Sequence, residues 1–232
     1  MHLLVTRPGA DAERTAQALR ARGHKVTVAP VLQFEAIPDV AFAGPFTAVA
    51  MTSANAARAM MSHPQRAELA ALRVFTVGRH TAAAAQAAGF VRIESADGGL
   101  PDLVRLIAAS LRGGRVLYLA ADDRSGDLAG ALAAYGIGVD TVVIYRMVTN
   151  PRLAQDLRAA LDDRLDGVLH YSRRSAQSFL VGARTAGLLD AALRLTHYCL
   201  SSEVAAPLSA AGAGSVKVAP QPDEAALMRL VT

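Results

Sequence analysis

Residues from about 2 to 107 and from about 115 to 231 carry the same pattern of apolar runs, glycines and small hydroxyl residues. Matched positions include Leu19 with Leu132, Gly23 with Gly136, Ser53 with Ser172 and Gly89 with Gly212. Two similar units, each a string of strand and helix signals, predict two related lobes with a cleft between them. A cleft between lobes is where a small molecule usually binds.

Apolar runs of five or six residues alternate with amphipathic stretches of ten or more, which is typical of parallel β/α units. Strands are predicted at residues 3–6, 26–29, 48–52, 74–77, 91–94, 116–120, 139–145, 167–171, 196–200 and 216–219. Helices are predicted at residues 10–22, 54–61, 79–88, 100–111, 125–135, 174–185, 203–211 and 223–231. Several helices are followed by a glycine suited to a left-handed C-cap, at Gly23, Gly89, Gly136 and Gly212. The pattern indicates the α/β class.

Two segments with prolines interrupt this rhythm, residues 30–45 and residues 147–163. They occupy equivalent positions in the two repeats, so both are candidate linkers. Two connections fit this pattern. Either the lobes are contiguous halves, or the chain crosses over at the first linker, builds the whole second lobe, and returns through the second linker to finish the first.

The cysteine and histidine content argues against disulfides and structural metals. Cys199 is the single cysteine, and the six histidines are scattered without a metal-ligand spacing. No apolar stretch of about 18 residues occurs, and the N-terminal residues lack a signal-peptide pattern. We therefore expect a cytoplasmic protein with no membrane partner and no metal.

The charge pattern gives little support for nucleic-acid binding. The formal net charge is +4, and Lys25 and Lys217 are the only lysines among 24 basic residues. Arginine suits bidentate capture of carboxylates and phosphates, but in an alanine-rich chain with two lysines the genome composition alone also explains the arginines. Because the basic residues alternate with acids and aromatic residues make up only 5% of the chain, no nucleic-acid partner is expected.

Phosphate-binding and hydrolase fingerprints are absent from the sequence. Nothing matches GxGxxG after a strand, GxxxxGK[ST], or a GxSxG nucleophile elbow. A nucleotide cofactor is therefore not expected. Asp122 and Asp123 follow a strand as in magnesium-binding receiver domains, but no phosphoacceptor aspartate or lysine follows at the required positions, so they are interpreted as loop acids.

Hydroxyl-rich turns follow matching strands in the two repeats. Thr52, Ser53 and Asn55 form one turn, and Ser172 to Ser175 form its counterpart, which also carries Arg173 and Arg174. Each turn opens onto helical amides that favour anions, although serine and asparagine are also ordinary helix N-caps. Their occurrence in both repeats favours a two-sided carboxylate-binding site.

Three further turns and one strand residue supply candidates for ligand contact. Arg7 lies in a Thr-Arg-Pro turn after the first strand, where open α/β sheets bind ligands. The turn with Arg79, His80 and Thr81 has a glycine that permits close backbone approach, and Ser202 lies in the matching turn of the second repeat. The ring of Tyr145, where a strand enters the second linker, either faces the gap or stiffens the linker.

Taken together, these motifs resemble the uroporphyrinogen-III synthase family, and the resemblance covers essentially the whole chain. It rests on the order and spacing of TRP at 6–8, TSAN at 52–55, VGxxTA at 77–82, GRVLYL at 114–119, VIY at 143–145, YSRRSA at 171–176 and CLSSEVAAPLSAAG at 199–212. The resemblance implies two flavodoxin-like lobes with parallel sheets, joined by a two-stranded linker with a cleft between them. The crossover connection follows, with residues 1–34 plus 149–232 in lobe 1 and residues 38–146 in lobe 2.

The family resemblance also implies a reaction. Hydroxymethylbilane, a linear tetrapyrrole with eight carboxylates, loses its terminal hydroxyl to give an electrophilic azafulvene. Ring D attacks this group through its substituted carbon, and the resulting spiro intermediate fragments and recloses with ring D inverted, giving uroporphyrinogen III and water. The resemblance implies a cyclising hydro-lyase of porphyrin and haem biosynthesis that uses no cofactor, and we expect it to act as a monomer.

Residue roles carry over by position. Tyr145 matches the tyrosine that assists departure of the hydroxyl, and Thr81, Ser53 and the turn at Ser172 to Ser175 match hydroxyl positions of the family's cleft. The family usually has glycine and threonine in its late turn, whereas this chain has Ser201, Glu203 and Val204 there, which argues against a threonine contact. The predicted substrate-binding residues are Arg7, Thr52, Ser53, Asn55, Arg79, His80, Thr81, Ser172, Arg173, Arg174, Ser175 and Ser202.

Two other functions fit parts of the pattern. A non-catalytic two-lobed binding protein or ligand sensor would show the same repeat and hinge but would not need Tyr145. A flavodoxin-type electron carrier fits less well, because aromatic residues that would enclose a flavin are scarce and tryptophan is absent.

Overall fold

A computed structural model of the chain describes residues 1–124 and 126–231, with the backbone alone at Ala10. The chain forms two compact units. Unit 1 comprises Met1–Gln33 and Val148–Thr232, and unit 2 comprises Phe34–Met147. Unit 1 is therefore made from two separate parts of the chain, while unit 2 is continuous.

The described residues form strands and helices that alternate along most of the chain. The strands are β1 (His2–Val5), β2 (Lys25–Val28), β3 (Leu32–Ala36), β4 (Ala48–Met51), β5 (Arg73–Thr76), β6 (Arg92–Ser95), β7 (Arg115–Ala121), β8 (Gly138–Thr149), β9 (Gly167–His170), β10 (Thr196–Cys199) and β11 (Ser215–Val218). The helices are α1 (Gly9–Arg20), α2 (Ala54–Met60), α3 (Arg66–Leu69), α4 (Arg79–Ala87), α5 (Leu100–Ser110), α6 (Leu128–Ala133), α7 (Leu153–Asp162), α8 (Arg173–Thr185), α9 (Leu189–Leu193), α10 (Ser202–Ala210) and α11 (Glu224–Arg229).

Unit 1 is built on a parallel sheet with the order β11-β10-β9-β1-β2. The side chains of β1 and β9 are buried on both faces, as expected where helices cover a parallel sheet on both sides. From the β2 edge the strands run second, first, third, fourth and fifth in the chain order of the unit, which is the flavodoxin-like order. The predicted α/β class is confirmed.

Unit 2 carries the sheet β3-β8-β7-β4-β5-β6, whose strands from β8 to β6 pair in parallel. Two separate apolar clusters cover its faces. One contains Leu117 and Leu119 of β7, and the other contains Val116 and Tyr118 of the same strand. Alternation of side chains along β7 therefore supplies both cores.

The sequence repeat and the structural units do not coincide. By the matched positions, β1 and β2 correspond to β7 and β8, whereas β4, β5 and β6 correspond to β9, β10 and β11. Unit 1 combines the first two strands of one repeat with the last three of the other, and unit 2 does the reverse. Apart from β3, which extends the sheet of unit 2, the two sheets have the same strand order, and each repeat contributes to both.

The segments predicted as linkers contain regular structure, whereas the residue pattern alone predicted no strand in them and the family resemblance implied a two-stranded linker. Residues 30–45 include β3, which lies beside β8, and the amide of Ile37 donates to the carbonyl of Ile144 at 2.8 Å. The prolines at 30 and 38 lie outside β3, so they did not prevent the strand. Residues 147–163 contain the end of β8 and all of α7.

The helix predictions differ from the structure mainly at short elements. Helices α3, α7 and α9 were not expected, and α3 and α9 are too short to show a clear period. The helix predicted at 125–135 begins at Leu128, and Ser125 lies outside the described residues. The predicted C-caps are confirmed, since Gly23, Gly89, Gly136 and Gly212 all have positive φ.

None of the helices among the described residues combines the length and apolar character that crossing a membrane requires.

A buried histidine pair lies inside unit 1. His170 Nε2 is 3.0 Å from His197 Nδ1, and His197 Nε2 is 3.1 Å from the carbonyl oxygen of Ala192. Since a carbonyl only accepts, His197 donates from Nε2, so its Nδ1 accepts from His170 Nε2. Burial lowers the pKa of His197 to about 4, and burial together with the charge of His197 lowers the pKa of His170 well below its ordinary value.

We expect this pair to make the protein less stable in mild acid. The unfolded histidines titrate near 6.5 and the folded ones lower, so the unfolded state binds more protons as the pH falls from about 6.5 towards 4. The free energy of unfolding should then fall by about 1.4 kcal/mol per pH unit for each histidine. Denaturant unfolding between pH 7 and pH 5 measures this slope.

The variant H170L should show a smaller slope, because one titrating group is removed. H80Q is the matched control, since His80 is exposed, and it should behave like the wild type. A free energy of unfolding that stays constant between pH 7 and pH 5 would contradict the assignment.

Candidate functional site

The carboxyl ends of four neighbouring strands surround a cavity in unit 2. Strands β8, β7, β4 and β5 are adjacent and parallel, so their last residues and the turns that follow meet at one edge of the sheet. The cavity has a volume of about 280 Å³. It is lined by Thr52, Ser53, Val77, Leu100, Tyr118, Ala121, Asp123, Arg124 and Tyr145.

This cavity lies where α/β sheets of this kind bind ligands. In unit 2 the chain builds β4, β5 and β6 in one direction and then returns to add β7 on the other side of β4. The turns after β4 and β7 therefore run to opposite faces of the sheet and leave a crevice between them. Thr52 and Ser53 follow β4, and Asp123 follows β7.

The turn after β4 holds two hydroxyl groups in the cavity wall. The Thr52 hydroxyl lies 2.9 Å from the Tyr118 hydroxyl. Ser53 is the N-cap of α2, and its Oγ accepts a hydrogen bond from the amide of Asn55 at 3.1 Å. Asn55, also predicted for the site, does not line the cavity; its side-chain amide contacts the sulfur of Met147 at 3.7 Å.

Tyr145 lies on β8 with its side chain buried and its ring 5.8 Å from that of Phe34. A bulge between Ala120 and Ala121 shifts the pairing of β7 with β8, so that Ala121 pairs with Tyr145. Burial raises the pKa of Tyr145 above its ordinary value, and a hydrogen bond with Ser53 opposes this shift. The phenol is therefore protonated at neutral pH and can donate a hydrogen bond.

Six of the nine residues that line this cavity were not predicted from the sequence, and two of them, Tyr118 and Arg124, are polar residues that the sequence analysis did not consider. Tyr118 is almost fully buried. In the sequence it stands within an apolar strand, as many aromatic residues of a hydrophobic core do. Arg124 is exposed, and it adds a positive charge to the cavity wall. Asp122 and Asp123 are loop residues, as expected, although Asp123 reaches the cavity.

The turn after β5 carries three predicted residues with different exposures. Thr81 is buried, whereas His80 is exposed and Arg79 has a side-chain exposure of 88%. Arg79 pairs with Asp97 at 2.7 Å, beside a small open cavity lined by Gly78, Arg79, Asp97 and Gly98. None of the three lines the cavity around Tyr145.

A wider groove of about 640 Å³ runs along α4 and β6, and Arg79 is its only predicted site residue. Its other lining residues are Ala82, Ala83, Gln86, Gly89, Phe90, Val91, Ile93 and Ser95. Most of these side chains are apolar or small, so the groove has few groups that could bind an anionic ligand or act on it.

Unit 1 presents the matching turns. Ser172 is the N-cap of α8, accepting from the amide of Ser175 at 3.0 Å and donating to the Ser175 hydroxyl at 2.8 Å. Arg173 and Arg174 occupy the first turn of α8, with Arg173 exposed and Arg174 half-buried. These residues lie together at the carboxyl end of β9.

The turn after β10 differs from the one after β9. Ser201 is the N-cap of α10 and accepts from the amide of Val204 at 3.4 Å, while Ser202 is exposed in the first turn. Glu203 adds a negative charge in the same turn. This turn is therefore less suited to an anion than the turn after β9.

Arg7 is engaged by acidic residues of its own unit. Its guanidinium contacts Asp11 at 2.9 Å and Glu224 at 3.1 Å, and it lies 4.3 Å from the centre of the Tyr171 ring. The hydroxyl of Thr15 donates to the same Glu224 carboxylate. Two carboxylates thus neutralise Arg7 at the position that corresponds to the cavity of unit 2, between the ends of β1 and β9.

The chemistry available around Tyr145 is that of hydroxyl groups. Two phenols, two aliphatic hydroxyls, one carboxylate and one guanidinium line the cavity. Such groups bind anions, donate hydrogen bonds and stabilise developing charge. Among residues 1–124 and 126–231, no cluster of three or more histidine, cysteine, aspartate or glutamate side chains is arranged to hold a metal ion.

Comparison with known proteins gives one family. The family model described as uroporphyrinogen-III synthase HemD matches residues 13–229. Among curated proteins, no sequence matches the chain significantly.

Two solved structures share the fold. Uroporphyrinogen-III synthetase from Helicobacter pylori is similar with a TM-score of 0.67 and 18% identity, over 100% of this chain and 98% of that chain. A mutant uroporphyrinogen III synthase from Thermus thermophilus is similar with a TM-score of 0.54 and 18% identity, over 100% of this chain and 96% of that chain.

The different surroundings of Arg7 and Arg79 lead to a stability prediction. The side chain of Arg7 is only 19% exposed and contacts two carboxylates and a ring, so R7Q should lower the free energy of unfolding by about 2 kcal/mol. R79Q is the matched control, and its exposed pair with Asp97 should contribute little. Thermal unfolding of the two variants, followed by circular dichroism, measures both effects; equal melting temperatures would show that Arg7 is not a structural residue.

Proposed function

Because the chain belongs to the uroporphyrinogen-III synthase family, we propose that it closes hydroxymethylbilane to uroporphyrinogen III with inversion of ring D and release of water. The match over residues 13–229 carries this conclusion. The protein is an enzyme of porphyrin and haem biosynthesis, and its substrate is a tetrapyrrole.

The overall reaction is an elimination and ring closure, so we propose a cyclising hydro-lyase that needs no cofactor. Uroporphyrinogen III and water together have the same atoms and the same oxidation level as hydroxymethylbilane, and no electron acceptor or donor is required. The enzyme must instead assist departure of a hydroxyl group and hold the chain ends while a reactive cation exists. Positioning and electrostatic stabilisation supply such catalysis.

Tyr145 is the proposed donor to the departing hydroxyl. Ser53 Oγ already accepts from the amide of Asn55, which leaves its own proton for the Tyr145 oxygen. The phenolic proton of Tyr145 is then free to face the substrate. Because the pKa of Tyr145 is raised, the phenol carries its proton at neutral pH and donates it as the C–O bond breaks, so that the hydroxyl leaves as water. The proton that the tetrapyrrole loses on ring closure restores the phenol.

The substrate carboxylates need cationic and amide partners. We propose Arg79, His80, Arg173 and Arg174 for this role, with hydroxyl contacts from Thr52, Ser53, Thr81, Ser172, Ser175 and Ser202 and an amide contact from Asn55. Exposure of Arg79 and Arg173 supports this proposal, because an exposed guanidinium can exchange a weak partner for a substrate carboxylate.

Arg7 is a weaker candidate than its position in the sequence suggested. A substrate carboxylate would have to displace Asp11 or Glu224 from a guanidinium that is mostly buried. Arg124 is a further candidate, because it lines the cavity that contains Tyr145.

We also propose a cellular location and an oligomeric state for the enzyme. Burial raises the pKa of the single cysteine, Cys199, to about 12, so it stays a thiol, which suits the cytoplasm. Because basic and acidic residues are interspersed along the chain, we propose that the enzyme does not bind nucleic acid. We also propose that it acts as a monomer.

We expect the purified protein, supplied with hydroxymethylbilane made in situ, to yield mainly the type III isomer. The uncatalysed bilane closes without inversion to the type I isomer, so the isomer ratio separates enzyme from background. Chromatography of the oxidised products measures it. Formation of type I alone, at the rate of the buffer control, would instead favour a non-catalytic binding protein or sensor.

Replacing the Tyr145 hydroxyl should slow turnover far more than it weakens binding. Y145F retains the buried ring but removes the donor, so kcat should fall by roughly 100-fold, the lower end for general acid catalysis. Product binding should change little. Y135F is the control, because Tyr135 is exposed in the same unit; a Y145F variant as active as Y135F would make Tyr145 a structural residue.

A further inference from the structure

The hydrogen bond between Tyr118 and Thr52 joins the two central strands of unit 2 at the cavity. Tyr118 lies on β7 with 3% of its surface exposed, and its hydroxyl is 2.9 Å from Thr52 Oγ1. Thr52 is the first residue after β4, and both side chains line the cavity that holds Tyr145. The hydroxyl of a buried tyrosine therefore reaches the wall of the cavity.

The two tyrosines reach the cavity from opposite faces of the sheet. Tyr145 packs in the cluster with Leu117 and Leu119, whereas Tyr118 packs in the cluster with Val116 and Phe75. The β4–α2 turn contacts both phenols through consecutive residues. Thr52 is hydrogen-bonded to Tyr118, and Ser53 lines the cavity together with Tyr145.

The direction of the hydrogen bond follows from acidity. Both hydroxyls can donate or accept, and a phenol is a stronger acid than an aliphatic alcohol. The favoured arrangement has Tyr118 donating to Thr52 Oγ1. In this arrangement the hydroxyl proton of Thr52 is not used in the bond with Tyr118 and can point into the cavity.

We propose that Tyr118 is a positioning residue of the active site: it holds the Thr52 hydroxyl so that its proton faces the substrate beside Tyr145. This inference deepens the proposed function and rests on it. Thr52 is the second hydrogen-bond donor beside Tyr145, and its hydroxyl donates to a substrate oxygen on which negative charge develops. The hydrogen bond from Tyr118 fixes the rotamer of Thr52. Restricting a donor before the reaction removes a reorganisation cost from the transition state.

A double-mutant cycle tests this role. Y118F removes the phenol hydroxyl and keeps the ring, T52V removes the threonine hydroxyl with little change of shape, and Y118F/T52V removes both. With hydroxymethylbilane made in situ, Y118F should lower kcat about 10-fold with KM changed less than about 2-fold, because the lost interaction acts in the transition state. The fraction of type I product should rise.

The cycle also shows whether Tyr118 acts through Thr52. T52V should lower kcat at least as much as Y118F, and the double variant should be no slower than T52V, because both changes break one unit. T52S retains the hydroxyl and should recover most of the activity. Multiplied effects in the double variant would overturn the proposal.

A buried tyrosine elsewhere provides the matched control. Tyr198 is 2% exposed in unit 1, and Y198F removes the same hydroxyl from a similar depth. Melting temperatures of all variants are compared, so that a loss of stability is not mistaken for a loss of positioning. If Y118F has the same kcat and isomer ratio as Y198F, the proposal is wrong. If Y118F does not fold, the T52V variant decides, and a wild-type kcat for T52V would overturn the proposal.

The two levels of inference fail differently. If the wild type makes no type III isomer above background, the proposed function is wrong. If the wild type is active and Y118F and T52V are equally active, the function stands and the positioning role of Tyr118 is wrong.

Discussion

Parallel pairing between β4 and β7 is the interaction on which the site in unit 2 depends. Ala48 pairs with Val116 and Met51 with Leu119, so both strands end at the same edge of the sheet. Their following turns diverge to opposite faces, and the crevice between them receives side chains from both. Hydroxyl groups that are distant in sequence, at positions 52, 53, 118 and 145, meet there because backbone hydrogen bonds align the strands in register.

The two units use one strand order but fill equivalent positions differently. In unit 2 the crevice is a cavity lined by hydroxyls. In unit 1 the corresponding position between β1 and β9 holds the Arg7 guanidinium with Asp11 and Glu224. A half-buried cation with two carboxylates resists replacement, because removing a partner leaves a poorly solvated charge. The shared topology therefore supplies a location, and the side chains decide whether that location binds a ligand.

Much of the fold could be predicted because the repeat, the apolar runs and the glycine caps agree with one another. β3 was not predicted from the residue pattern, since prolines around it suggested a linker, whereas the family resemblance implied a two-stranded linker, and β3 pairs with β8. Within the site, Ser53 and Ser172 were recognisable as matching N-caps. Tyr118 was not, because an aromatic residue in an apolar strand gives no sign that its hydroxyl reaches a partner 66 positions away. The ion pairs of Arg7 were equally hidden, since Glu224 lies 217 positions away.

The exchange of strands between the two repeats has a consequence for synthesis on the ribosome. Unit 2 is contiguous, so its whole sheet is available once residue 149 has emerged. Strands β1 and β2 emerge first, yet the inner edge of β1 has no partner until β9 is made, more than 160 residues later. An unpaired edge invites wrong partners, and long loop closure slows the correct one. We therefore expect unit 2 to be completed before unit 1 during synthesis, although synthesis begins with strands of unit 1.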